Sequence, residues 1–322
     1  RCMVDALIVY DEIATASTSA GLCIGATIGF GAQTIVGLGT EEQKRNLLPK
    51  IAKGELKFSM GLTEPGGGTD ILGAIQTKAE DKGDYWLING TKMFITGAHK
   101  SDYMVLIAIT NPGAKRKNGL SIFLVPQPIK GLQTRLIPKI GCHAAGTNEV
   151  VLEDVKIPKG NLIGTRDNGW FELLGTLNPE RIGTAMLSLG IAKAAFRDAM
   201  EYAKVREAFG GPISRFQILQ HYLADIAIEI ENAQNLIYKC AWLHDAGKPF
   251  HIEASMAKIV AGRASEKAAI LGMEILGGYG YTMEFDMQRY FRDYKQMVFS
   301  PISDEMAKNM IMQFMGLPKS WS

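Results

Sequence analysis

The chain has 322 residues, of which 47% are hydrophobic and 21% charged, and its formal net charge is +2. That length and apolar content suit two or three globular domains with a sizeable core, while the absence of a basic field or a Lys/Arg run argues against nucleic-acid binding. Four cysteines (Cys2, Cys23, Cys142, Cys240) and five isolated histidines lack paired-ligand spacing, which argues against a metal site and fits a reducing compartment.

The sequence opens inside an apparent helix, Val4 to Ala14, with no initiating Met or signal peptide. Residues 13–40 carry no formal charge, so a membrane span has to be weighed. Six glycines, a Gln and many hydroxyl residues make that stretch a poor apolar segment, and two buried helices joined by a small-residue turn are expected instead. Thr40-Glu41-Glu42-Gln43 is a capping box, with Thr40 as N-cap and Gln43 at N3, opening a helix toward Ile51. Residues 1–56 therefore read as helical.

Next comes Gly61-Leu62-Thr63-Glu64-Pro65-Gly66-Gly67-Gly68-Thr69-Asp70, between strand-like Phe58-Ser59-Met60 and helix- or turn-like Ile71-Leu72-Gly73. Three successive glycines can take positive φ and let backbone approach a flat ligand. Thr63 and Thr69 add hydroxyls at the rim. The segment is neither a Walker loop nor a Gly-x-Gly-x-x-Gly opening a βαβ unit, and on its own it reads more readily as an ordinary surface turn.

From Phe58 to about Pro158 the period becomes that of strands. Runs such as Tyr103-Met104-Val105-Leu106-Ile107 and Leu120-Ser121-Ile122-Phe123-Leu124-Val125 are punctuated by Lys82-Gly83-Asp84, Asn89-Gly90 and Asn118-Gly119. After Gly164 the helical period returns. Leu219, Tyr222, Leu223, Ile226, Ile230, Ala233 and Ile237 trace one apolar face, and similar faces run through 182–203, 252–275 and 303–315. The expected organisation is helical over 1–56, β over 57–164 and a helical bundle over 165–322.

Thr63-Glu64-Pro65-Gly66-Gly67-Gly68-Thr69-Asp70 resembles the first signature of the acyl-CoA dehydrogenase flavoproteins. Lys92-Met93-Phe94-Ile95-Thr96, Arg206-Glu207-Ala208-Phe209-Gly210, Phe216-Gln217, Glu274 through Tyr281, and Tyr290-Phe291-Arg292-Asp293 follow in that family's order. The resemblance covers essentially the whole chain. It implies an α+β acyl-CoA dehydrogenase fold: an N-terminal helical domain lacking its first helices, a middle β domain and a C-terminal four-helix bundle. The implied enzyme is soluble, in the bacterial cytoplasm or mitochondrial matrix, and built as a homotetramer, a dimer of dimers.

The same resemblance implies FAD as cofactor. It places Met60, Leu62, Thr63, Gly68 and Thr69 at the flavin's pyrimidine edge, Thr96 near N5 beside Ile95, and Phe94 over one ring face, where many relatives carry Trp. Arg206, Phe216, Gln217, Glu274, Gly277 and Gly278 would hold the adenylate half in a second subunit, with Glu274 where relatives commonly have Gln. Ser303 and Glu305 complete the cofactor set, and Thr69, Asn178 and Arg181 are implied substrate contacts.

The family reaction removes a proton from the α carbon of an acyl thioester while hydride leaves the β carbon for the flavin. A weakly acidic proton calls for a well-placed carboxylate. Aligned without a gap from Arg292-Asp293, the usual base position falls on Pro301, which has no carboxylate. Leu177-Asn178-Pro179-Glu180-Arg181 resembles instead the variant of isovaleryl- and long-chain-type members, whose base sits on an earlier helix, so Glu180 is the expected base. Asn178-Pro179-Glu180 also reads as N-cap, N1 and N2 of a helix, with Glu180 answering the dipole, and Asp304 and Glu305 are alternative carboxylates.

The expected activity is conversion of a branched or medium acyl-CoA to its trans-2-enoyl-CoA, with electrons passed to an electron-transferring flavoprotein. Ser300 to Met306 also resembles crotonobetainyl-CoA reductase-like members, so an enoyl-CoA reductase, a desulfinase-like enzyme and a non-catalytic assembly member stand as alternatives.

Overall fold

A computed structural model of the chain describes residues 2–175 and 177–319, without the side chains of Leu177 and Asn178. In chain order the first elements are α1 (Met3–Ala16), α2 (Thr18–Gly25), a π-helical turn (Ala26–Ala32), α3 (Gln33–Leu38), α4 (Glu41–Ala52), β1 (Phe58–Gly61) and the short α5 (Ile71–Ala74). Strands β2 (Lys78–Asp81), β3 (Tyr85–Thr96), β4 (Tyr103–Ile109), β5 (Leu120–Pro126), β6 (Leu132–Leu136), β7 (Thr147–Pro158) and β8 (Leu162–Ile163) follow. The rest comprises α6 (Gly169–Leu174), α7 (Leu177–Val205), the small hairpin β9 (Glu207–Ala208) and β10 (Gly211–Pro212), α8 (Gln217–Asp245), α9 (His251–Leu276), α10 (Met287–Phe299) and α11 (Asp304–Phe314).

These elements pack as two compact units. One, made of residues 22–139 and 143–177, is built on a sheet ordered β6-β7-β3-β2-β4-β5-β8, with β1 added parallel to β4. Strands β4 and β5 are apolar at nearly every position because both faces of the sheet are covered. Met104, Leu106, Phe123 and Val125 enter one core with Trp86, Ile88 and Val155. Val105, Ile107, Ile122 and Leu124 enter the other with Ile35, Ile51, Phe58 and Ile75. Period-2 alternation sends neighbouring residues to different cores, so slipping either strand by one residue would exchange two packed sets.

Helix α4 starts as the capping box requires: the Gln43 amide donates to Thr40 Oγ1 at 3.2 Å, and the Thr40 amide to Gln43 Oε1 at 2.9 Å. Residues 13–40 differ from expectation. The chain breaks at Ser17, and Thr18–Leu38 then runs on as one helical segment, long and apolar enough by composition to cross a membrane. It is not uniformly buried: Ile28 and Val36 are exposed, while Thr34, Ile35 and Gly31 are buried. A Cβ on Gly31 would fall 2.4 Å from the Phe58 side chain, and the Phe58 amide donates to Thr27 Oγ1 at 3.1 Å. Gly31 thus serves close packing against β1 rather than a turn.

Asn89-Gly90 also departs from its turn signal, lying inside β3, where the register against β7 shifts between Ile88 and Gly90. Asn89 is satisfied across the strands, accepting from the Asp154 amide at 2.8 Å and donating to the Asp154 carboxylate at 3.1 Å. The dipeptide thus makes a β-bulge.

The second unit, residues 1–21, 140–142 and 178–322, is helical. Helix α9 is its centre: Ala254, Ala257, Ala261, Ala264 and Ala268 are fully buried and let α8, α10 and α11 come close. On α8 the buried residues Leu223, Ile226, Ala233 and Ile237 fall on the expected stripe. Helix α1 is tied in by Lys193 to Asp11 at 2.6 Å and by Asp245, whose carboxylate accepts from the Met3 and Val4 amides at the α1 N-terminus. Helix α10 lies within the stretch expected to be helical and buries a mixed face of Met287, Tyr290, Asp293, Tyr294 and Met297.

Candidate active site

In the sheet unit, β1 delivers Met60 half-buried, Leu62 and Thr63 follow half-buried just beyond it, and Gly68 and Thr69 are exposed at the loop tip. None of Gly66, Gly67 and Gly68 is among the left-handed glycines of the described residues, contrary to the positive-φ expectation. Close approach is what demands glycine here: a Cβ on Gly67 would sit 2.1 Å from the Ala74 Cβ. Asp70 closes the loop by accepting from the Gly73 amide at 3.0 Å, as N-cap of α5.

Beside this loop β3 carries a second bulge, between Lys92 (opposite Val150) and Ile95 (opposite Asn148). Phe94 occupies it at φ 62° and is 64% exposed. A bulky residue in the left-handed region costs about 1–3 kcal/mol and persists where surrounding structure over-determines it. Ile95 is buried, with its carbonyl accepting from Asn148 Nδ2 at 2.9 Å, and Thr96, half-buried, pairs with Thr147. Loop and bulge are joined by the Met93 amide, which donates to the Thr63 carbonyl at 2.8 Å.

Beneath them lies an ion pair between Lys92 and Glu64. Lys92 Nζ donates to Glu64 Oε1 at 2.8 Å and to the Leu62 carbonyl at 3.1 Å, its side chain wholly buried and that of Glu64 nearly so. Glu64 also accepts from the Gln76 and Thr77 amides at 2.7 and 3.0 Å. Burial pushes the Glu64 carboxyl up, but Lys92 and the Thr77 bonds outweigh it and the net direction is down. Burial carries the Lys92 ammonium down to about 8, against the opposing pull of Glu64. The carboxylate is therefore ionised, and the ammonium releases its proton far more readily than a solvated lysine. The signal for the pair in the sequence is that Glu64 and Lys92 each fall inside a family signature.

In the helical unit, Glu180 lies in the first turn of α7. The helix is already formed at Leu177, so Asn178 is inside it rather than its N-cap, and Pro179 falls in the first turn, where its missing N–H costs nothing. The Asn178 side chain, expected to touch substrate, lies outside the described residues. Glu180 keeps partial solvent access, yet burial raises its carboxyl to about 7 while Arg181 pulls the other way. Arg181 is 4% exposed, and its Nη2 approaches Met310 Sδ at 3.5 Å.

The alternative carboxylates are differently placed. Asp304 pairs with the buried Lys258 at 2.7 Å, and Lys258 also donates to the Val298 carbonyl. Glu305 is exposed in the first turn of α11, where Ser303 caps by accepting from the Met306 amide at 3.3 Å. Arg292 and Asp293 pin residues 140–142 to the bundle, through Arg292 Nη1 to the Ile140 carbonyl at 2.8 Å and the Cys142 amide to Asp293 at 2.6 Å.

A cleft of about 480 Å³ in the same unit gathers Arg206, Gly277 and Gly278 with Tyr202, Tyr279 and Thr282. Arg206 stands just past the end of α7, its guanidinium 6.0 Å from the Tyr279 ring centroid. Gly277 has φ 57° and ψ −132°, a conformation essentially restricted to glycine. Phe209 and Gly210, both at positive φ, turn the β9–β10 hairpin and set the 96%-exposed Phe209 edge-on to Phe216 at 6.0 Å. Gln217 begins α8 and Glu274 is exposed in the last turn of α9, and neither lines the cleft. A guanidinium fork beside side-chain-free backbone and exposed aromatic rings fits the pyrophosphate and adenine of a dinucleotide, and the exposed Phe94 fits a flat ring face.

Residues 2–55, 59–155 and 167–316 match, in order, the N-terminal, middle and C-terminal domain models of acyl-CoA dehydrogenases. A probable acyl-CoA dehydrogenase of Bacillus subtilis is 39% identical over 94% of this chain and 80% of its own length. The glutaryl-CoA dehydrogenase of Desulfococcus multivorans is 38% identical over 89% of this chain and 74% of its own. The solved butyryl-CoA dehydrogenase of Megasphaera elsdenii superposes with a TM-score of 0.93 at 34% identity, covering 96% of this chain and 81% of that one. With its three domains matched in order, the chain belongs to the acyl-CoA dehydrogenase family of flavoprotein oxidoreductases.

Proposed function

We propose that the chain is an FAD-dependent dehydrogenase that converts an acyl-CoA to its trans-2-enoyl-CoA and passes the electrons to an electron-transferring flavoprotein. A short acyl chain is favoured over the branched or medium one suggested by the base position, because relatives named for butyryl- and glutaryl-CoA align along most of the chain. The domain boundaries are proposed near residues 56 and 164.

The observation that carries this reading is Glu180, a partly accessible first-turn carboxyl raised to about 7 by burial. A base poised near neutral pH combines adequate ionisation with proton affinity. Glu180 is assigned removal of the α proton, and Pro301 supplies no competing carboxylate at the other family position. Thr63, Thr96 and the backbone between Met60 and Thr69 are assigned to the flavin edge, and Phe94 to shielding one ring face from water. Arg206 and the Gly277-Gly278 backbone are assigned to the pyrophosphate, with Phe216, Gln217 and Glu274 beside the adenylate and Ser303 and Glu305 completing the set. Thr69, Asn178 and Arg181 are assigned to the substrate. When bound, FAD would supply the hydride acceptor.

Glu180→Gln keeps the shape and removes the base. Turnover with a saturated acyl-CoA is expected to fall about 10²–10⁴-fold, the usual contribution of general-base catalysis, while FAD stays bound. The check is flavin bleaching under anaerobic acyl-CoA titration together with a dye-linked assay. Near-normal turnover in the variant would remove Glu180 from this role.

A further inference from the structure

A buried ion pair is a poor means of stabilising a sheet unit, since apolar residues of similar volume often do as well or better. Lys92 and Glu64 nevertheless sit sealed under the Gly-rich loop, and their partners are conspicuously local. Lys92 Nζ bonds the Leu62 carbonyl and the Glu64 carboxylate, and the next residue, Met93, bonds the Thr63 carbonyl through its amide. Three successive loop residues are thus gripped from β3, and the residue after Met93 is Phe94, in its left-handed bulge. Glu64 extends the grip to the far side of the loop through the Gln76 and Thr77 amides.

We propose that Lys92 is a positioning residue for the flavin edge: its contacts with Glu64 and the Leu62 carbonyl hold Thr63 and the Phe94 bulge in one arrangement that receives the isoalloxazine. This inference rests on the flavin reading above and adds to it the residue that shapes the site before the cofactor arrives. Preorganisation removes an ordering cost that would otherwise be subtracted from binding. Glu64 is the charged group whose field bears on Lys92 among the described residues, and the cross-strand neighbour of Lys92, Val150, is apolar. The grip is accordingly complete while Lys92 is charged and weakens as pH rises through about 8.

The test uses the purified full chain, with FAD binding followed by flavin fluorescence and loop order by amide hydrogen exchange in the FAD-free protein. Lys92→Met is expected to raise the FAD dissociation constant at least tenfold and to speed exchange across residues 61–69, with exchange in Val105 to Ile109 unchanged. The parent protein's FAD affinity should fall severalfold from pH 7 to pH 9. Lys92→Met should abolish that dependence, and Lys92→Arg, which stays charged, should recover affinity and hold it to higher pH. Should Lys92→Met fail to fold, Lys92→Met/Glu64→Gln, with no unpaired buried charge, takes the same measurements. Parent-like FAD affinity and loop exchange in the variant would overturn the positioning role while leaving the flavin reading intact. A parent protein that binds no FAD would overturn both.

Discussion

Glu180 derives its chemistry from its surroundings rather than from its residue type. A carboxyl raised to about 7 is mostly protonated below that pH and cannot accept a proton from substrate. The sign is therefore fixed: kcat/KM for a saturated acyl-CoA should rise about tenfold per pH unit below 7 and level off above it. A stopped-flow pH series of flavin reduction checks this, and a profile flat from pH 5 to 8 would contradict it. Lys92 is perturbed by the same cause in the opposite sense, since burial disfavours the charged form of either group. Phe94 adds a third local cost, its backbone held at φ 62° by a bulge that leaves the ring exposed. Each of these three departures falls on a residue with a proposed role, and strain and perturbed protonation tend to concentrate at functional residues.

Among the elements, α9 shows how small residues set spacing. Its alanine stripe is fully buried against α8, α10 and α11, so it has no spare volume on that side. Ala261→Leu should therefore destabilise the protein by about 1–3 kcal/mol through overpacking, read as a lower midpoint in urea denaturation. An unchanged midpoint would mean that neighbouring helices relax freely around it. The same use of small residues appears in Thr18–Leu38, where Gly31 meets Phe58. The lack of charge there raises a span and the glycines a turn, and it is the packing partner, Phe58, that determines what Gly31 does.

At the scale of the whole molecule, Arg206, Gly277 and Gly278, which line a cleft, and the exposed Phe216 are the residues proposed for the pyrophosphate and adenylate. If a second copy of the chain completes the dinucleotide site proposed there, the protein should sediment as at least a dimer, and at about four times 35.2 kDa if it is the dimer of dimers that the family resemblance implies. Analytical ultracentrifugation of the FAD-loaded protein tests this, and a monomer at micromolar concentration would refute it.

Much of the fold is legible in the sequence. The capping box at Thr40, the apolar runs of β4 and β5 and the stripe on α8 are local patterns whose physical meaning does not depend on distant residues. Spaced signatures likewise sufficed for the family, since they fix residue types at sites where little else serves the chemistry. Other features needed tertiary structure. Asn89-Gly90 is a bulge because Asp154 is there to satisfy it, α10 is buried through tyrosines and an aspartate whose partners lie far along the chain, and Lys92 joins Glu64 across 28 residues. Periodicity and motif spacing record what each segment prefers by itself. Burial, and with it the proton affinity of Glu180 and Lys92, is a property of what surrounds a residue, and only the folded chain determines that.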